Sequence, residues 1–422
     1  MQRAQAQAPQ ALSFEPAPHD PTPVDFTELP LDERLQKALA DRQFQRTTPV
    51  QSAVFPAVFA GQDLIGCAQT GTGKTAAFLL PIMQRLLEHA AAPNGSARPH
   101  NSGTRVLVLA PTRELAVQIE EDFLGLAYYT PLSGVSVYGG VAAGGQERAL
   151  RAGVDLVVAT PGRLLDHMNS GAAKFDQLEV LVLDEADRML DMGFWPDIRR
   201  IISTLPTTRQ TLLFSATMSD DVTKSASQIM REPKLIQIGH TGGLASKITH
   251  RAHVMPSDQK TNWLATFLRR ETEPTIVFVR TKRWADRLAR RLAERHIKIA
   301  TLHADRTQSQ RTAAIEGFRS GRYRVLVATD IAARGLDIDG IGHIVNYEVP
   351  TSIDTYVHRV GRTARAEAEG TAITLATPDE VPALRAIERA LKVKLVQEQA
   401  PQEHTSTRQA DPIADGASAS LG

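Results

Sequence analysis

Two short segments of the chain carry side chains suited to nucleotide chemistry. One is the glycine-rich stretch Ala68 to Thr75, and the other is Asp184-Glu185-Ala186-Asp187, which follows the apolar run Val180 to Leu183. A glycine-rich loop holds phosphates through its backbone N–H groups, and an acidic cluster at a strand end holds the magnesium ion that those phosphates carry. Neither segment is decisive alone, but together they predict a site that binds ATP and Mg²⁺.

The glycine-rich stretch departs from the G-x-x-x-x-G-K-[ST] pattern at its first position, where Ala68 replaces glycine. Its two glycines permit the turn that points N–H groups at phosphate oxygens, and the following helix adds its N-terminal dipole. We expect Lys74 to contact the β and γ phosphates and the Thr75 hydroxyl to ligate magnesium. The predicted nucleotide-binding loop comprises Ala68, Gln69, Thr70, Gly71, Thr72, Gly73, Lys74 and Thr75.

The two acids that open the second segment have separate predicted roles. Asp184 suits magnesium binding, directly or through water. Glu185, one residue further, is placed to orient or deprotonate the water that attacks the phosphate. An ordinary glycine turn and a solvated acidic loop are the alternatives, and the presence of both segments in one chain argues against them.

Length and composition limit the class of protein. A chain of 422 residues is long for one core, so two or three domains are expected. Hydrophobic residues make up 42% and charged residues 23%, as in soluble globular domains. The single cysteine, Cys67, excludes an internal disulfide, and we interpret it as a small buried side chain.

Charge and hydropathy limit the cellular compartment and the kind of binding surface that can be expected. The net charge is +1, so a surface for nucleic acid must be a local groove. No run of about 18 apolar residues predicts a membrane span, and the first residues do not resemble a signal peptide. The sequence therefore predicts a cytoplasmic protein.

Short β-branched runs alternate with helical patterns in two sets, which is typical of parallel α/β sheets buried on both faces. The first set comprises Asp63 to Ile65, Val106 to Leu109, Leu156 to Val158, Val180 to Leu183 and Leu212 to Phe214. The second comprises Ile276 to Val279, Ile299 to Leu302, Val325 to Val327, Ile344 to Val345 and Ala372 to Leu375. The predicted division is a disordered leader at 1–23, a first domain at 24–238, a linker at 239–248, a second domain at 249–395 and a flexible tail at 396–422. Residues 90–103 have the composition of a surface insertion.

Taken together, the motifs resemble those of the DEAD-box ATP-dependent RNA helicases, a superfamily 2 family, in their bacterial type. The resemblance covers about residues 24 to 380 and keeps the order of the family's motifs. Besides the two segments above, it includes Phe26, Phe44, Thr48-Pro49-Val50-Gln51, Pro111-Thr112-Arg113-Glu114-Leu115-Ala116, Gly139-Gly140, Thr160-Pro161-Gly162-Arg163, Ser215-Ala216-Thr217, Val277-Phe278-Val279-Arg280-Thr281, Gln308 with Arg311, Ala333-Arg334-Gly335-Leu336-Asp337 and His358-Arg359-Val360-Gly361-Arg362-Thr363-Ala364-Arg365. The resemblance implies two RecA-like domains joined by a short flexible linker.

The resemblance assigns further residues to the nucleotide. Gln51 is implied to contact the adenine edge, because an amide can donate and accept at once, and Phe44 to stack on the ring. Gln43 and Thr47 stand where the family commonly has glycine and proline, and Ala364 where many relatives have glycine. From the second domain, the implied residues are Asp337 on the ribose, His358 in the network that orients water, and the arginine fingers Arg362 and Arg365.

The same resemblance implies how hydrolysis is coupled to RNA. Ser215 and Thr217 are implied to bond to Asp187, and Arg359 is placed in the same coupling group; capping of the next helix is the alternative for the two hydroxyls. The implied RNA contacts are Arg113, Gly140, Thr160 and Arg163 on the first domain and Arg280, Thr281, Gln308 and Thr329 on the second. Such side chains meet phosphates and 2′-OH groups, so no sequence specificity is expected.

The resulting hypothesis is an RNA helicase and ATPase that closes on RNA and separates short duplexes locally, without processivity. It uses ATP and Mg²⁺, binds single-stranded or short duplex RNA, and acts as a monomer. Two alternatives stay open at this point: an ATP-gated RNA clamp or scaffold without unwinding, and a DNA translocase. Ribosome assembly and RNA decay are both open as sources of partners.

Overall fold

The computed structural model of the chain describes residues 22–68, 71–90, 103–238, 248–333, 340–363, 369–391, 393 and 395–397. Most of the predicted leader, nearly all of the linker and most of the tail therefore lie outside the described residues. So does most of the predicted insertion. Among the helices of the described residues, none is long and apolar enough to cross a membrane.

The first half of the chain forms a seven-stranded sheet in the order β3-β4-β2-β5-β6-β1-β7, and every neighbouring pair is parallel. The strands are β1 Leu64–Cys67, β2 Val106–Leu109, β3 Gly134–Val137, β4 Leu156–Ala159, β5 Val180–Leu183, β6 Gln210–Ser215 and β7 Lys234–Gln237. The helices are α1 Glu33–Asp41, α2 Pro49–Phe59, α3 Lys74–Ala90, α4 Arg113–Ala127, α5 Ala143–Ala152, α6 Pro161–Asn169, α7 Ala186–Asp191, α8 Trp195–Ile202 and α9 Asp220–Ser227, with a 3-10 turn at Phe26–Glu28.

Both faces of this sheet are buried. In β2, Val106 and Val108 join the hydrophobic cluster on one face, whereas Leu107 and Leu109 join the cluster on the other. A strand covered on both sides has no polar face, which explains why these runs are continuously apolar. Polar side chains are thereby confined to the strand ends, where the motifs lie.

The second half forms another sheet of seven parallel strands, in the order β10-β11-β9-β12-β13-β8-β14. The strands are β8 Ile248–Val254, β9 Thr275–Phe278, β10 Ile299–Leu302, β11 Val325–Ala328, β12 His343–Asn346, β13 Gly370–Ala376 and β14 Val396–Gln397. The helices are α10 Lys260–Arg270, α11 Lys282–Ala293, α12 Gln308–Arg319, α13 Asp330–Ala333, α14 Ile353–Val360 and α15 Val381–Leu391, with a 3-10 turn at Pro378–Glu380. The predicted class of two parallel-sheet α/β domains is confirmed.

The two sheets repeat one topology, because β8 to β14 follow the same spatial order as β1 to β7. Lys74 begins the helix after β1, and Lys260 begins the helix after β8. Lys260 is buried, and its Nζ donates to the carbonyls of Tyr347 and Leu375 at 3.3 and 2.8 Å and to Oε2 of Glu380 at 3.0 Å. Two α/β domains were predicted, but the match between their strand orders was not.

Two boundaries differ from those expected. Ile248, assigned to the linker, begins β8, and Val396 and Gln397, assigned to the tail, pair with Arg251 and Ala252 of that strand. Strands β3, β7, β8 and β14 were not predicted. Because β14 lies at the sheet edge next to β8, the second sheet includes a short segment beyond the predicted end of its domain.

Candidate active site

The phosphate loop leaves β1 and ends at the first turn of α3. Gly71 and Gly73 have φ of 82° and 88°, a left-handed conformation that only glycine adopts without strain. Lys74 is buried, and its Nζ donates to the carbonyl of Ala68 at 2.9 Å. The ammonium of the residue that begins α3 therefore lies next to the residue that follows β1. Thr72 and Thr75 are half-buried, and Gln69 and Thr70 lie outside the described residues.

Helix α2 is tied to this loop through the buried side chain of Gln51. Its Nε2 donates to the carbonyl of Gly73 at 3.1 Å, and its Oε1 accepts from the backbone N–H of Thr48 at 2.9 Å. A Cβ on Gly73 would lie only 2.6 Å from that Nε2. An amide has two N–H groups and two lone pairs, so Gln51 keeps one donor and one acceptor position for a ligand.

Phe44 lies near the start of α2, with 40% of its surface exposed. Its ring stacks at 6.3 Å on Phe26, and the guanidinium of Arg42 lies 5.7 Å from its centre. Gln43, which precedes it, has φ of 60°. That left-handed conformation is less strained for glycine, the residue common at this position in the family. The exposed part of the Phe44 ring provides a stacking surface.

Asp184 and Glu185 follow β5 and are both buried. Burial raises the pKa of Asp184 to about 6, although the charge of Lys74 opposes the shift. Burial would also raise the pKa of Glu185, yet the cations Arg188, Arg362 and Lys74 hold it below its usual value. Arg188 Nη1 lies 2.5 Å from Oε2 of Glu185, whose backbone is left-handed at φ 53°. Sequence reasoning assigned no role to Arg188.

Asp187 is the point where several elements meet. Its Oδ2 accepts from the backbone N–H groups of Ala216 and Thr217 at 3.1 and 3.0 Å and from Oγ1 of Thr217 at 3.0 Å. Nε2 of His358, from the second domain, lies 3.7 Å from the same oxygen. Burial alone would raise the pKa of Asp187, but His358, Lys74 and Thr217 hold it well below its usual value.

Ser215 and Arg359 lie differently from the expected coupling arrangement. Oγ of Ser215 donates to the carbonyl of Thr217 at 2.6 Å and thus closes the turn after β6, with Asp187 bonded to Thr217 instead. Arg359 bonds to Asp330 and Asn346 within the second domain. Its cation also lies over the ring of Phe278. These contacts give both residues a structural part in shaping the coupling region.

The second domain contributes α14 and the turn after it. His358 is on α14, and the backbone N–H of Arg362 donates to the carbonyl of Arg359 at 3.2 Å. Arg362 is buried and close enough to Glu185 to lower its pKa. Asp337 and Arg365 lie outside the described residues. The structure thus brings one predicted arginine finger and the predicted histidine to the acids of the first domain.

Cys67, at the end of β1, is buried as expected, and burial raises the pKa of its thiol to about 11. A thiol in this state is protonated at neutral pH and is a poor nucleophile.

The predicted RNA contacts of the first domain follow the neighbouring strands β3, β4 and β2. Gly140 is exposed at φ 85°, and a Cβ there would lie 2.1 Å from Nη1 of Arg113, so that guanidinium lies against the Gly140 backbone. Arg163 donates to the carbonyls of Tyr138 and Val141 at 3.2 and 2.6 Å. Both arginines therefore stabilise the loop around Gly140 that follows β3. Thr160 is half-buried after β4.

The second domain repeats this placement, because its predicted RNA contacts follow β9, β10 and β11 at the matching edge of the repeated topology. Arg280 and Thr281 are exposed, and Gln308 and Thr329 are half-buried. The backbone N–H of Arg280 donates to Oε2 of Glu348 at 2.6 Å. In both sheets, then, one edge carries the predicted RNA contacts and the other strands carry the predicted nucleotide site.

One ion pair crosses between the two RNA edges and was not predicted. Nε of Arg311 lies 2.7 Å from Oε1 of Glu114, and both side chains are only 10% exposed. Glu114 adjoins Arg113, and Arg311 is one turn along α12 from Gln308. The sequence marks both residues as motif members, but their pairing depends on how the domains face each other.

Two family models match the chain. The DEAD/DEAH box helicase model matches residues 48–225, and the helicase conserved C-terminal domain model matches residues 259–367. The ATP-dependent RNA helicase CshA of Listeria monocytogenes is 42% identical over 377 residues, which cover 89% of this chain and 70% of that protein.

Two solved structures share the fold across both domains. Dbp5 of S. cerevisiae bound to RNA and ADP BeF3 has a TM-score of 0.80 at 28% identity, over 89% of this chain and 96% of that one. Mss116p bound to ssRNA and AMP-PNP has a TM-score of 0.80 at 28% identity, over 91% and 81% of the two chains. These matches agree with the motifs and with the repeated parallel sheets. The chain therefore belongs to the DEAD-box family of ATP-dependent RNA helicases, enzymes that bind RNA and hydrolyse ATP.

Proposed function

We propose that this helicase couples RNA-stimulated ATP hydrolysis to local, non-processive separation of short RNA duplexes. The observation that carries the proposal is the meeting of both domains at the acidic motif. His358 lies 3.7 Å from Asp187, and the cation of Arg362 depresses the pKa of Glu185. A site assembled from two domains is complete only when they face each other, so domain closure controls hydrolysis.

In this proposal, the first domain holds the nucleotide. Gln51 and Phe44 receive the adenine, the loop from Ala68 to Thr75 receives the phosphates, and Lys74 neutralises phosphate charge. Within the described residues, no three His, Cys, Asp or Glu side chains are arranged to hold a metal ion. Thr75 and Asp184 fit a Mg²⁺ that takes most of its ligands from phosphates and water. Held by Thr75 and Asp184, Mg²⁺ would offset the negative charge of the phosphates.

Glu185 acts on the attacking water. Its depressed pKa keeps it ionised at neutral pH, so it can accept a proton from that water. The water oxygen bonds to the γ phosphorus, the bond from that phosphorus to the bridging oxygen breaks, and ADP leaves with the electron pair. Arg188 holds the Glu185 carboxylate from the side of α7.

The second domain supplies charge and orientation. Arg362 and Arg365 stabilise the negative charge that spreads over the transferred phosphoryl group. His358 belongs to the network that orients water through Asp187, and Asp337 contacts the ribose. Thr217 and Ser215 transmit the state of Asp187 to the turn after β6, and Arg359 holds α14 in place for this purpose.

RNA lies across the two matching sheet edges. Arg113, Gly140, Thr160 and Arg163 contribute from the first domain, and Arg280, Thr281, Gln308 and Thr329 from the second. These groups suit phosphates and 2′-OH groups and do not distinguish bases, so binding is independent of sequence. Closing the domains on one strand bends it and opens the adjoining base pairs.

We also propose that residues 24–238 and 248–397 are the two moving domains and that the enzyme acts as a monomer. A cytoplasmic location stays a prediction. The division into two moving domains is supported by the separate sheets and hydrophobic cores of the two halves. Each half has its own hydrophobic clusters, so relative movement requires no core to be broken.

The decisive experiment compares ATP turnover with single-stranded RNA and with DNA of identical sequence, and it measures strand separation of a short RNA duplex in parallel. We expect stimulation by RNA alone and ATP-dependent strand separation. Equal stimulation by DNA contradicts the RNA assignment. Stimulation by RNA without strand separation supports the alternative of an ATP-gated clamp.

A further inference from the structure

Helix α11 concentrates positive charge on the second domain. Its twelve residues, Lys282 to Ala293, contain five basic side chains and one acidic one, in a chain whose net charge is +1. Arg283, Arg287 and Arg290 follow one another at intervals of four and three residues, which places them on one helical face. All three are exposed, whereas Leu288 and Leu292 on the other side are buried.

These arginines are not neutralised by neighbouring acids. The one acid of the helix, Asp286, is engaged by His303 at 3.0 Å and by Arg306 at 2.6 Å. Across the part of the chain that the structure describes, no carboxylate pairs with Arg283, Arg287 or Arg290. A cluster of unpaired cations on one face produces a local positive potential that an anionic polymer can neutralise.

An aromatic side chain lies within the cluster. Trp284 has Arg287 at 5.3 Å and Arg291 at 5.7 Å from the centre of its ring. The contact with Trp284 restrains the side chain of Arg287, the one member of the arginine face that it involves, and so reduces the entropy lost when that side chain binds a ligand. Basic residues interleaved with an aromatic ring are typical of surfaces that bind nucleic acid.

The cluster is continuous with the proposed RNA edge. Thr281 caps α11 by accepting from the backbone N–H of Trp284 at 3.2 Å, and Arg280 precedes it. From Arg283 to Arg290 the helix rises about 10 Å. That length corresponds to about three phosphates of one strand along a duplex. The arginine face therefore begins where the proposed groove ends.

We propose that this face of α11 is a second RNA-binding surface, which holds the phosphate backbone of a duplex arm adjoining the strand in the groove. The inference rests on the proposed function and extends it to the form of the substrate. The face carries no Asn or Gln side chain to read base edges, so it binds any sequence. It anchors the duplex while domain closure bends the neighbouring strand.

The test removes two of the cations without reversing charge. The Arg283→Gln/Arg290→Gln protein is compared with wild type and with Arg385→Gln/Arg389→Gln, which removes two exposed arginines from α15. Two RNAs are used: a strand of about ten nucleotides, and the same strand extended by a duplex arm. The readouts are the RNA concentration that half-maximally stimulates ATP turnover and direct RNA binding as a function of salt.

For the α11 variant, half-maximal stimulation by the duplex-armed RNA is expected to need about tenfold more RNA, and the short strand less than about twofold more. The slope of log affinity against log salt should fall by about 1.8, since each lost phosphate contact contributes about 0.9. The α15 variant should match wild type. An unchanged α11 variant, or equal losses on both RNAs, overturns the inference. If no RNA stimulates even the wild type, the proposed function fails, and direct binding still decides whether α11 holds the duplex arm.

Discussion

Two adjacent carboxyl groups, Asp184 and Glu185, experience opposite electrostatic surroundings although both are buried. Asp184 has the charge of Lys74 as its main compensation, and burial still raises its pKa to about 6. Glu185 is surrounded by three cations, which keep its pKa below the usual value. The opposite pKa shifts are consistent with the two roles that we propose, a metal ligand for Asp184 and a proton acceptor for Glu185.

The raised pKa of Asp184 has a consequence for stability. The group titrates near pH 3.9 in the unfolded chain and near 6 in the folded protein, so the fold favours its protonated form. Its stabilising contribution is present below pH 4 and is lost as the pH rises through 6. The loss is on the order of 3 kcal/mol. Without nucleotide and Mg²⁺, Asp184→Asn should therefore melt at a higher temperature than wild type at pH 7.5.

This difference in melting temperature should shrink as the pH falls toward 4.5. Asp258→Asn, which removes an exposed carboxylate, serves as the control and should change little. An Asp184→Asn protein that melts below wild type at pH 7.5 would show that the ionised carboxylate stabilises the empty site.

Glu185→Gln tests the role of the proton acceptor. The amide has nearly the same shape but cannot take a proton, so turnover should fall about 100-fold or more while ATP still binds. Steady-state hydrolysis and equilibrium binding of labelled ATP measure the two quantities separately. Glu121→Gln, at an exposed position on α4, should behave as wild type. Normal turnover by Glu185→Gln removes this residue from the reaction.

At the scale of elements, α2 and the phosphate loop act as one unit because Gln51 bonds to the loop backbone. The contact leaves no space at Gly73, where a Cβ would meet Nε2 of Gln51 at 2.6 Å. In the proposed function, this side chain links recognition of the base to recognition of the phosphates. A change in the loop is expected to move the start of α2.

Gly73→Ala should weaken ATP binding about tenfold or more, since the residue must adopt φ of 88° and also displace Gln51. Gly171→Ala is a matched control: its φ is 70°, but nothing lies within 4 Å of the added Cβ. The control should lose about 1–2 kcal/mol of stability from backbone strain and keep its ATP affinity. Nucleotide titration and thermal melting distinguish the two effects. Equal ATP affinities in the two variants would argue against the contact with Gln51.

Much of the secondary structure follows from the sequence for a clear physical reason. Strands such as Val106–Leu109 and Val180–Leu183 are buried on both faces, so their apolar runs are continuous and were predicted with the observed bounds. Strand β3, Gly134–Val137, and strand β7, Lys234–Gln237, are less buried and include polar residues or glycine. Their place in the sheet depends on neighbouring strands, and local pattern did not reveal it.

At the scale of the whole molecule, contacts between the domains define the state in which the site is complete. The ion pair of Glu114 with Arg311 joins the two proposed RNA edges, and His358 joins α14 to Asp187. In the proposed open state Glu114 and Arg311 would lie in water, so we expect the pair to favour closure and not to be needed for the folding of either domain. We therefore expect the pair to link RNA binding to assembly of the proposed catalytic site.

Charge reversal tests this link. Glu114→Arg and Arg311→Glu each place like charges together, so each should lower RNA-stimulated turnover about tenfold. The double variant restores an opposite pair and should recover most of the activity. Swapping Glu147 and Arg151, an exposed pair within α5, should have no effect. A double variant no better than the worse single variant would show that the two residues act independently.

These contacts between domains mark what the sequence cannot supply. Motif residues such as Lys74, Asp184 and Thr160 follow the ends of strands, which is a local feature of the sequence. The bond of Ser215 to Thr217 and the pair of Glu114 with Arg311 depend on turn geometry and domain orientation, which span distant parts of the chain. The family resemblance provided the candidate site residues. The structure shows which of the candidates among the described residues contact one another.

The repeated topology has a further consequence, for nucleotide stoichiometry. Lys260 occupies in the second sheet the place that Lys74 occupies in the first, but its ammonium is already bonded to Glu380 and two carbonyls. In the second domain, the Glu380 carboxylate accepts from the lysine ammonium. In the first domain, we propose that a phosphate of ATP takes the corresponding position next to Lys74. Among the residues that the structure describes, the repeated framework therefore presents one lysine of this kind, Lys74, to the proposed nucleotide site. It should bind one ATP per chain, with the second copy serving as the internal partner that completes the first.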